Sequence, residues 1–201
     1  MYSLLSGLWK YTFQKDEFCI LILGLDNAGK TTFLEQTKTK FNKNNKGINL
    51  NKITATVGLN IGKIDISGSR LMFWDLGGQE ELQSLWDKYY AESHGIIYLI
   101  DSADKGRLEE SKKAYDKMLS SEHLSTVPLL ILANKQDIPD CLTVLDVKQV
   151  FHDESASVET RDCMIRSASA LTGQGVNEGI EWMVKSVQRN PYRPPREKAI
   201  T

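Results

Sequence analysis

The chain has 201 residues, 41% of them hydrophobic, enough for one full-sized core, and roughly 100–200 residues per domain favours a single domain. With 25 Lys and Arg against 26 Asp and Glu, the net charge of −1 excludes the global cationic footprint of a nucleic-acid binder, so no nucleic-acid partner is expected. Three widely spaced cysteines (Cys19, Cys141, Cys163) with no C-x-x-C pair and no leader pattern point to a reducing, cytosolic compartment, and no apolar run approaches the roughly 18–20 residues that span a bilayer, so any membrane association is expected to be peripheral.

The first predicted element covers residues 1–16. Leu4, Leu5, Leu8, Trp9, Thr12 and Phe13 recur at helical spacing, with Ser3, Ser6, Gly7, Lys10 and Gln14 opposite, which is the pattern of an amphipathic helix. A domain over 17–190 follows. Its first strand is FCILIL (18–23), whose continuous apolar run suits a strand covered on both faces.

Next comes GLDNAGKTT, residues 24–32, between that strand and a helix beginning at Gly29. This is the setting in which G-x-x-x-x-G-K-[ST] becomes a specific signal for a phosphate loop. Gly24, Leu25, Asp26, Asn27, Ala28, Gly29, Lys30, Thr31 and Thr32 are therefore expected to bind nucleotide. Backbone N–H groups and the helix N-terminus converge on the phosphates, Lys30 reaches the terminal phosphates, and Thr31 offers its hydroxyl to Mg²⁺. Asp26 is the awkward residue, since a carboxylate beside a γ-phosphate cannot stabilise its developing charge and the loop contains no arginine. Slow intrinsic hydrolysis, with positive charge supplied by an activating protein, is the expectation.

NKNNKGINLNK (42–52) has little to bury and reads as a mobile surface loop. After it, Thr56 in ATVGLN is a second candidate hydroxyl ligand for Mg²⁺ and a donor to the γ-phosphate, with Thr54 as a competitor. GLNIGKIDI (58–66) and RLMFWD (70–75) are separated only by Ser67-Gly68-Ser69, too little for a crossover helix, and so predict a β-hairpin. WDLGGQE closes it. Asp75 is placed to hold Mg²⁺ through water, Gly78 to present a backbone N–H to the γ-phosphate, and Gln79 to orient a hydrolytic water, while Gln79 also opens a predicted helix.

GIIYLID (95–101) and VPLLILAN (127–134) are the next strands, separated by a helix from Lys105. The second runs into Asn134-Lys135-Gln136-Asp137. Asp137 can accept both the ring and the exocyclic N–H of guanine, a donor pair that adenine lacks; Lys135 can lay its stem along the base, and Asn134 can tie this loop to the phosphate loop. A helix from Asp146, a strand CMIRSA (163–168) and a helix from Gln174 complete the domain, with Ser169, Ala170 and Leu171 placed so that a backbone N–H could meet the guanine carbonyl. The Pro-rich residues 191–201 are expected to be a flexible tail. Six strands alternating with helices predict a doubly wound, mostly parallel α/β sheet with one antiparallel hairpin strand. A phosphoryl-transfer kinase on the same loop lacks an Arg-rich lid and gives NKQD no role, whereas a GTP-binding scaffold that scarcely hydrolyses stays open.

Taken together, GLDNAGKT, TVGLN, WDLGGQE and NKQD stand in an order and spacing that resembles the Arf family of small GTPases over nearly the whole chain. The resemblance implies the P-loop small GTPase fold and a monomer that cycles between GDP and GTP with Mg²⁺. It also implies a guanine-nucleotide exchange factor, a GTPase-activating protein, and effectors recruited at the cytosolic face of the Golgi and trans-Golgi network. Effectors of the family read an aromatic triad whose matching positions are Leu59, Trp74 and Tyr89, with Leu59 in place of the usual Phe. Two departures stand out: the Asn/Lys loop is longer, and Tyr2 occupies the place of the myristoylated Gly. A single helix is a weak anchor, so the resemblance implies a second determinant, an integral Golgi membrane protein that recognises an acetylated Met1-Tyr2 terminus.

Overall fold

The computed structural model describes residues 15–42, 49–151 and 161–192. The N-terminal helix lies outside the described residues through residue 14, as do positions 43–48 of the Asn/Lys loop and the tail from residue 193. The strands are β1 (Asp16–Leu23), β2 (Leu59–Ile66), β3 (Ser69–Leu76), β4 (Gly95–Asp101), β5 (Leu129–Asn134) and β6 (Cys163–Ser167), in one six-stranded sheet of order β2-β3-β1-β4-β5-β6. Every pairing is parallel except β2 with β3. The helices are α1 (Lys30–Phe41), α2 (Glu80–Gln83), α3 (Leu108–Leu119), α4 (Val144–Phe151) and α5 (Val176–Arg189). Among the described residues, no helix is long and apolar enough to cross a membrane.

The apolar runs serve two cores at once because successive side chains on a strand point to opposite faces. Ile20 and Ile22 pack into a cluster with Phe33 and Leu34 of α1 and Ile180, Met183 and Val187 of α5. Leu21 and Leu23 face the other cluster, with Tyr115 and Met118 of α3 and Val147 and Phe151 of α4. Each such side chain contributes about 1.5–3 kcal/mol on burial. Tyr98, fully buried, keeps its hydroxyl satisfied by donating to the Ser111 carbonyl at 2.9 Å.

Several boundaries differ from the sequence reading, and three of them have a cause in the contacts. β1 starts at Asp16, within the span assigned to the N-terminal helix, because its ladder with β3 continues to Asp16↔Ser69 and Arg70 pairs with Glu17 and Asp65 beside it. The helix expected from Gln79 is α2 followed by a separate 3₁₀ segment, Trp86–Glu92; Trp86 is buried and donates from Nε1 to the Gly77 carbonyl at 2.9 Å, and that anchor bends the chain. α4 begins at Val144 rather than Asp146. Thr143 caps it: Asp146 N–H donates to Thr143 Oγ1 at 3.2 Å, and Thr143 N–H donates back to Asp146 Oδ2 at 2.8 Å, a reciprocal capping box.

Candidate functional site

The loops after β1, β3, β5 and β6 gather at one edge of the sheet, at the carboxyl ends of the parallel strands, where doubly wound folds bind ligands. Gly29 carries the phosphate loop into α1 with φ 92°, a left-handed conformation that L side chains rarely adopt. Lys30 is buried, and its Nζ donates to the carbonyls of Gly24 at 2.9 Å and Leu25 at 2.7 Å. Burial lowers its pKa to about 8, against the opposing pull of Asp75 and Asp26. Gly24 and Leu25 thus serve as the dock for Lys30.

Thr31, Thr56 and Asp75 converge beside it. Thr31 Oγ1 donates to Asp75 Oδ2 at 2.7 Å and lies 2.7 Å from Thr56 Oγ1. Asn60 Nδ2 donates to the same carboxylate oxygen at 3.3 Å. Burial pushes the Asp75 pKa up, and its other oxygen, Oδ1, is buried with no hydrogen-bond partner among the described residues. A hard-oxygen set of two hydroxyls and a carboxylate with a spare acceptor fits Mg²⁺, which takes few protein ligands and completes its shell with water and substrate phosphates. Among the described residues no group of three or more His, Cys, Asp or Glu could hold a metal. Thr54 also lines the cleft, but the bonds to Thr31 and Asp75 are made by Thr56.

The base-reading loops are joined to this corner by Asn134. Its Nδ2 donates to the Ala28 carbonyl at 2.7 Å, and its Oδ1 accepts from Ala170 N–H at 2.9 Å. Ser169 Oγ donates to Asp137 Oδ1 and orients the exposed carboxylate. Because Ser169 N–H donates to Gln174 O and Ala170 N–H to Asn134, the backbone donor left in the tripeptide for a base carbonyl is that of Leu171. Lys135 Nζ is paired with Asp101 Oδ2 at 2.6 Å.

A cleft of about 340 Å³ opens over these residues. It is lined by Asp26, Asn27, Gly29, Lys30, Thr31, Thr32, Thr56, Gly78, Gln79 and Lys135, and by Leu50, Ile53, Thr54 and Ala55. Asp137 and residues 169–171 stand beyond that lining. Sequence reasoning missed Leu50, Ile53, Asn60 and Asp101. Asn60 was within reach, since counting back from the hairpin turn sets it opposite Asp75.

Asp26 is not the lone carboxylate that the sequence suggests. Its Oδ1 accepts from Arg107 Nη2 at 2.6 Å. The loop itself contains no arginine, but one reaches it from 81 residues downstream. Arg107 lines a separate crevice of about 10 Å³ with Asp26, Leu99 and Asp104, and among the described residues no arginine lines the large cleft.

On the hairpin, Leu59 and Trp74 share one face, and Trp74 packs edge-on against Tyr89 with ring centroids 5.4 Å apart. Leu59 is exposed, as are its neighbours Val57 and Ile61, whereas Trp74 and Tyr89 are half-buried.

The sequence pattern of the ADP-ribosylation factor family matches residues 2–187. The chain is 67% identical over 201 residues to ADP-ribosylation factor-related protein 1 of Homo sapiens, covering 100% of both. It is 44% identical over 197 residues to ADP-ribosylation factor-like protein 3 of Saccharomyces cerevisiae, covering 97% of this chain and 98% of that one. Among solved structures, the Arl6 BBS3 small GTPase from Trypanosoma brucei, with the bound nucleotide analogue GppNp, superposes with a TM-score of 0.76 at 28% identity, covering 87% of this chain and 99% of that one.

Proposed function

The chain belongs to the ADP-ribosylation factor family, and we propose that it is a GTP-operated switch that recruits effectors to trans-Golgi membranes. As a small GTPase of this family it binds GTP and GDP and hydrolyses GTP to GDP and phosphate. The observation that carries this reading is the meeting of Thr31 and Thr56, which line the cleft together with Gln79, on the buried Asp75 carboxylate beneath them.

With the triphosphate in the cleft, Lys30 Nζ exchanges the Gly24 and Leu25 carbonyls for terminal phosphate oxygens. Asp137 accepts two guanine N–H groups while Leu171 N–H donates to the base carbonyl. Thr31 and Thr56, backed by the buried Asp75 carboxylate, would hold Mg²⁺, which would supply charge neutralisation at the phosphates. Gln79 orients the attacking water, and Gly78 N–H donates to the γ-phosphate. Since no arginine among the described residues lines the cleft, the charge of the transition state is met in trans by an activating protein, and intrinsic turnover is slow.

Single-turnover GTP hydrolysis, alone and with an activating protein, tests the reading. Wild type is expected to be accelerated and Gln79→Leu to hold GTP at least about 10-fold longer, in line with loss of a positioned water. No hydrolysis with any activator would leave a GTP-binding scaffold instead.

Partner selection is assigned to Leu59, Trp74 and Tyr89. Supporting this are the exposed apolar run Val57, Leu59 and Ile61 and the aromatic pair beside it. Replacing both Trp74 and Tyr89 with Ala is expected to weaken GTP-dependent effector capture by about 30-fold or more, the loss of one aromatic hot spot or greater, with GTP affinity retained. Loss of nucleotide binding in the same variant would show that the pair is structural.

Membrane recruitment is assigned to the amphipathic residues 1–16 together with an integral membrane receptor for the N-terminus, with an exchange factor loading GTP there. Support comes from the apolar face of that segment and from the insufficiency of one weak anchor. A tagged chain should overlap a trans-Golgi marker, and its Thr31→Asn form should disperse. Equal Golgi overlap of both forms would overturn GTP-dependent recruitment.

A further inference from the structure

Arg107 sits at the N-terminal end of α3, outside the large cleft, and its guanidinium is held on two sides. Nη2 donates to Asp26 Oδ1 at 2.6 Å and Nη1 reaches the Asp26 carbonyl at 3.5 Å. On the other side, Nε and Nη2 donate to the Glu110 carboxylate, both at 2.8 Å. A planar fork of five donors is suited to such a double engagement in a way that an ammonium is not. The Glu110 carboxyl is kept below its usual range by these bonds. Glu110, three residues along the helix, therefore fixes the guanidinium plane, and Arg107 presents its remaining edge to the phosphate loop.

Partly exposed pairs of this kind add little to stability, and these side chains are 35% and 38% exposed. Their position gives them a different consequence. Asp26 lines the cleft and Arg107 does not, while Lys30 feels both charges, raised by Asp26 and lowered by Arg107.

We infer that Arg107 is a positioning residue for nucleotide retention: it neutralises and anchors Asp26 from behind the loop, so that a loop containing a carboxylate can hold a polyphosphate. The inference rests on the reading of the cleft as a GTP site. Without Arg107, a free carboxylate stands beside the phosphates and Lys30, and the loop loses its tie to α3.

The test is dissociation of fluorescent GDP and GTP from the full chain. Arg107→Met should release both about 10-fold faster, the size expected for one uncompensated charge near the phosphates at a partly exposed site. The difference should shrink in 1 M salt, where screening acts within about 3 Å. Adding Asp26→Asn should recover most of the loss, because the carboxylate to be neutralised is gone. A purely structural role would leave the double variant as leaky as Arg107→Met, with a lowered unfolding temperature in both. Wild-type release from Arg107→Met, or no recovery in the double variant, overturns the inference. A wild-type chain that bound no guanine nucleotide would instead overturn the GTPase reading and this inference with it.

Discussion

Replacing Asp137 with Asn is expected to lower guanine-nucleotide affinity by about 10²–10⁴-fold, equivalent to two charge-assisted hydrogen bonds of about 1.5–3 kcal/mol each. In the base-reading role proposed for it, the carboxylate would accept two N–H groups from guanine. An amide accepts one and turns its NH₂ toward the other, so a bond becomes a clash of donors. Xanthine carries a carbonyl oxygen where guanine carries the amine, and the Asn side chain complements it. The variant should therefore gain affinity for xanthine nucleotides while losing it for GDP. The effect is specific because Ser169 Oγ donates to Asp137 Oδ1 and orients the side chain, and because Asn134, the tie to the phosphate loop, is untouched. Competition binding with GDP and XDP reads the result directly. Retention of GDP affinity within 10-fold, without xanthine binding, would remove Asp137 from the base-reading role.

Gly78→Ala is the second large effect, and it acts through space that does not exist. A Cβ at Gly78 would lie 2.4 Å from Asp26 N and from Leu25 C, and 2.5 Å from Gly24 O. All three are backbone atoms of the phosphate loop, so no side-chain rotation relieves the contact. The segment after β3 must withdraw by about 1 Å, and a misplacement of that size at a catalytic group lowers turnover by about 100-fold. Gln79 withdraws with it, while the base-reading loops keep their own ties. Single-turnover hydrolysis should fall accordingly and GTP-dependent effector capture should fail, with GDP binding largely retained. Hydrolysis at the wild-type rate would mean that Gly78 need not approach the loop during the reaction.

What the residue order determined by itself is local. Continuous apolar runs mark β1, β4 and β5, a three-residue gap forces a hairpin, and a Gly-rich turn followed by Lys-Thr at a helix start makes an anion cradle. The physical reason is that backbone conformation, side-chain period and N–H convergence are decided within a few residues. The expectation that Asp137 selects guanine is local in the same way, because a carboxylate is the acceptor that the donor pair of the base calls for.

The tertiary structure decided what depends on contacts between distant segments. Asn134 reaches Ala28 across 106 residues, and Arg107 reaches Asp26 across 81. Nothing in GLDNAGKTT announces a cation behind its carboxylate, just as nothing in SAL shows that the Ser169 and Ala170 N–H groups are taken by Gln174 and Asn134. The helix expected from Gln79 stops at Gln83, and beyond it the buried Trp86 bonds to Gly77, a packing contact that helix propensity does not contain. Local pattern carries the chemistry each residue can perform; only the folded sheet, which brings four loops to one edge, decides which partner neutralises, orients or occupies it.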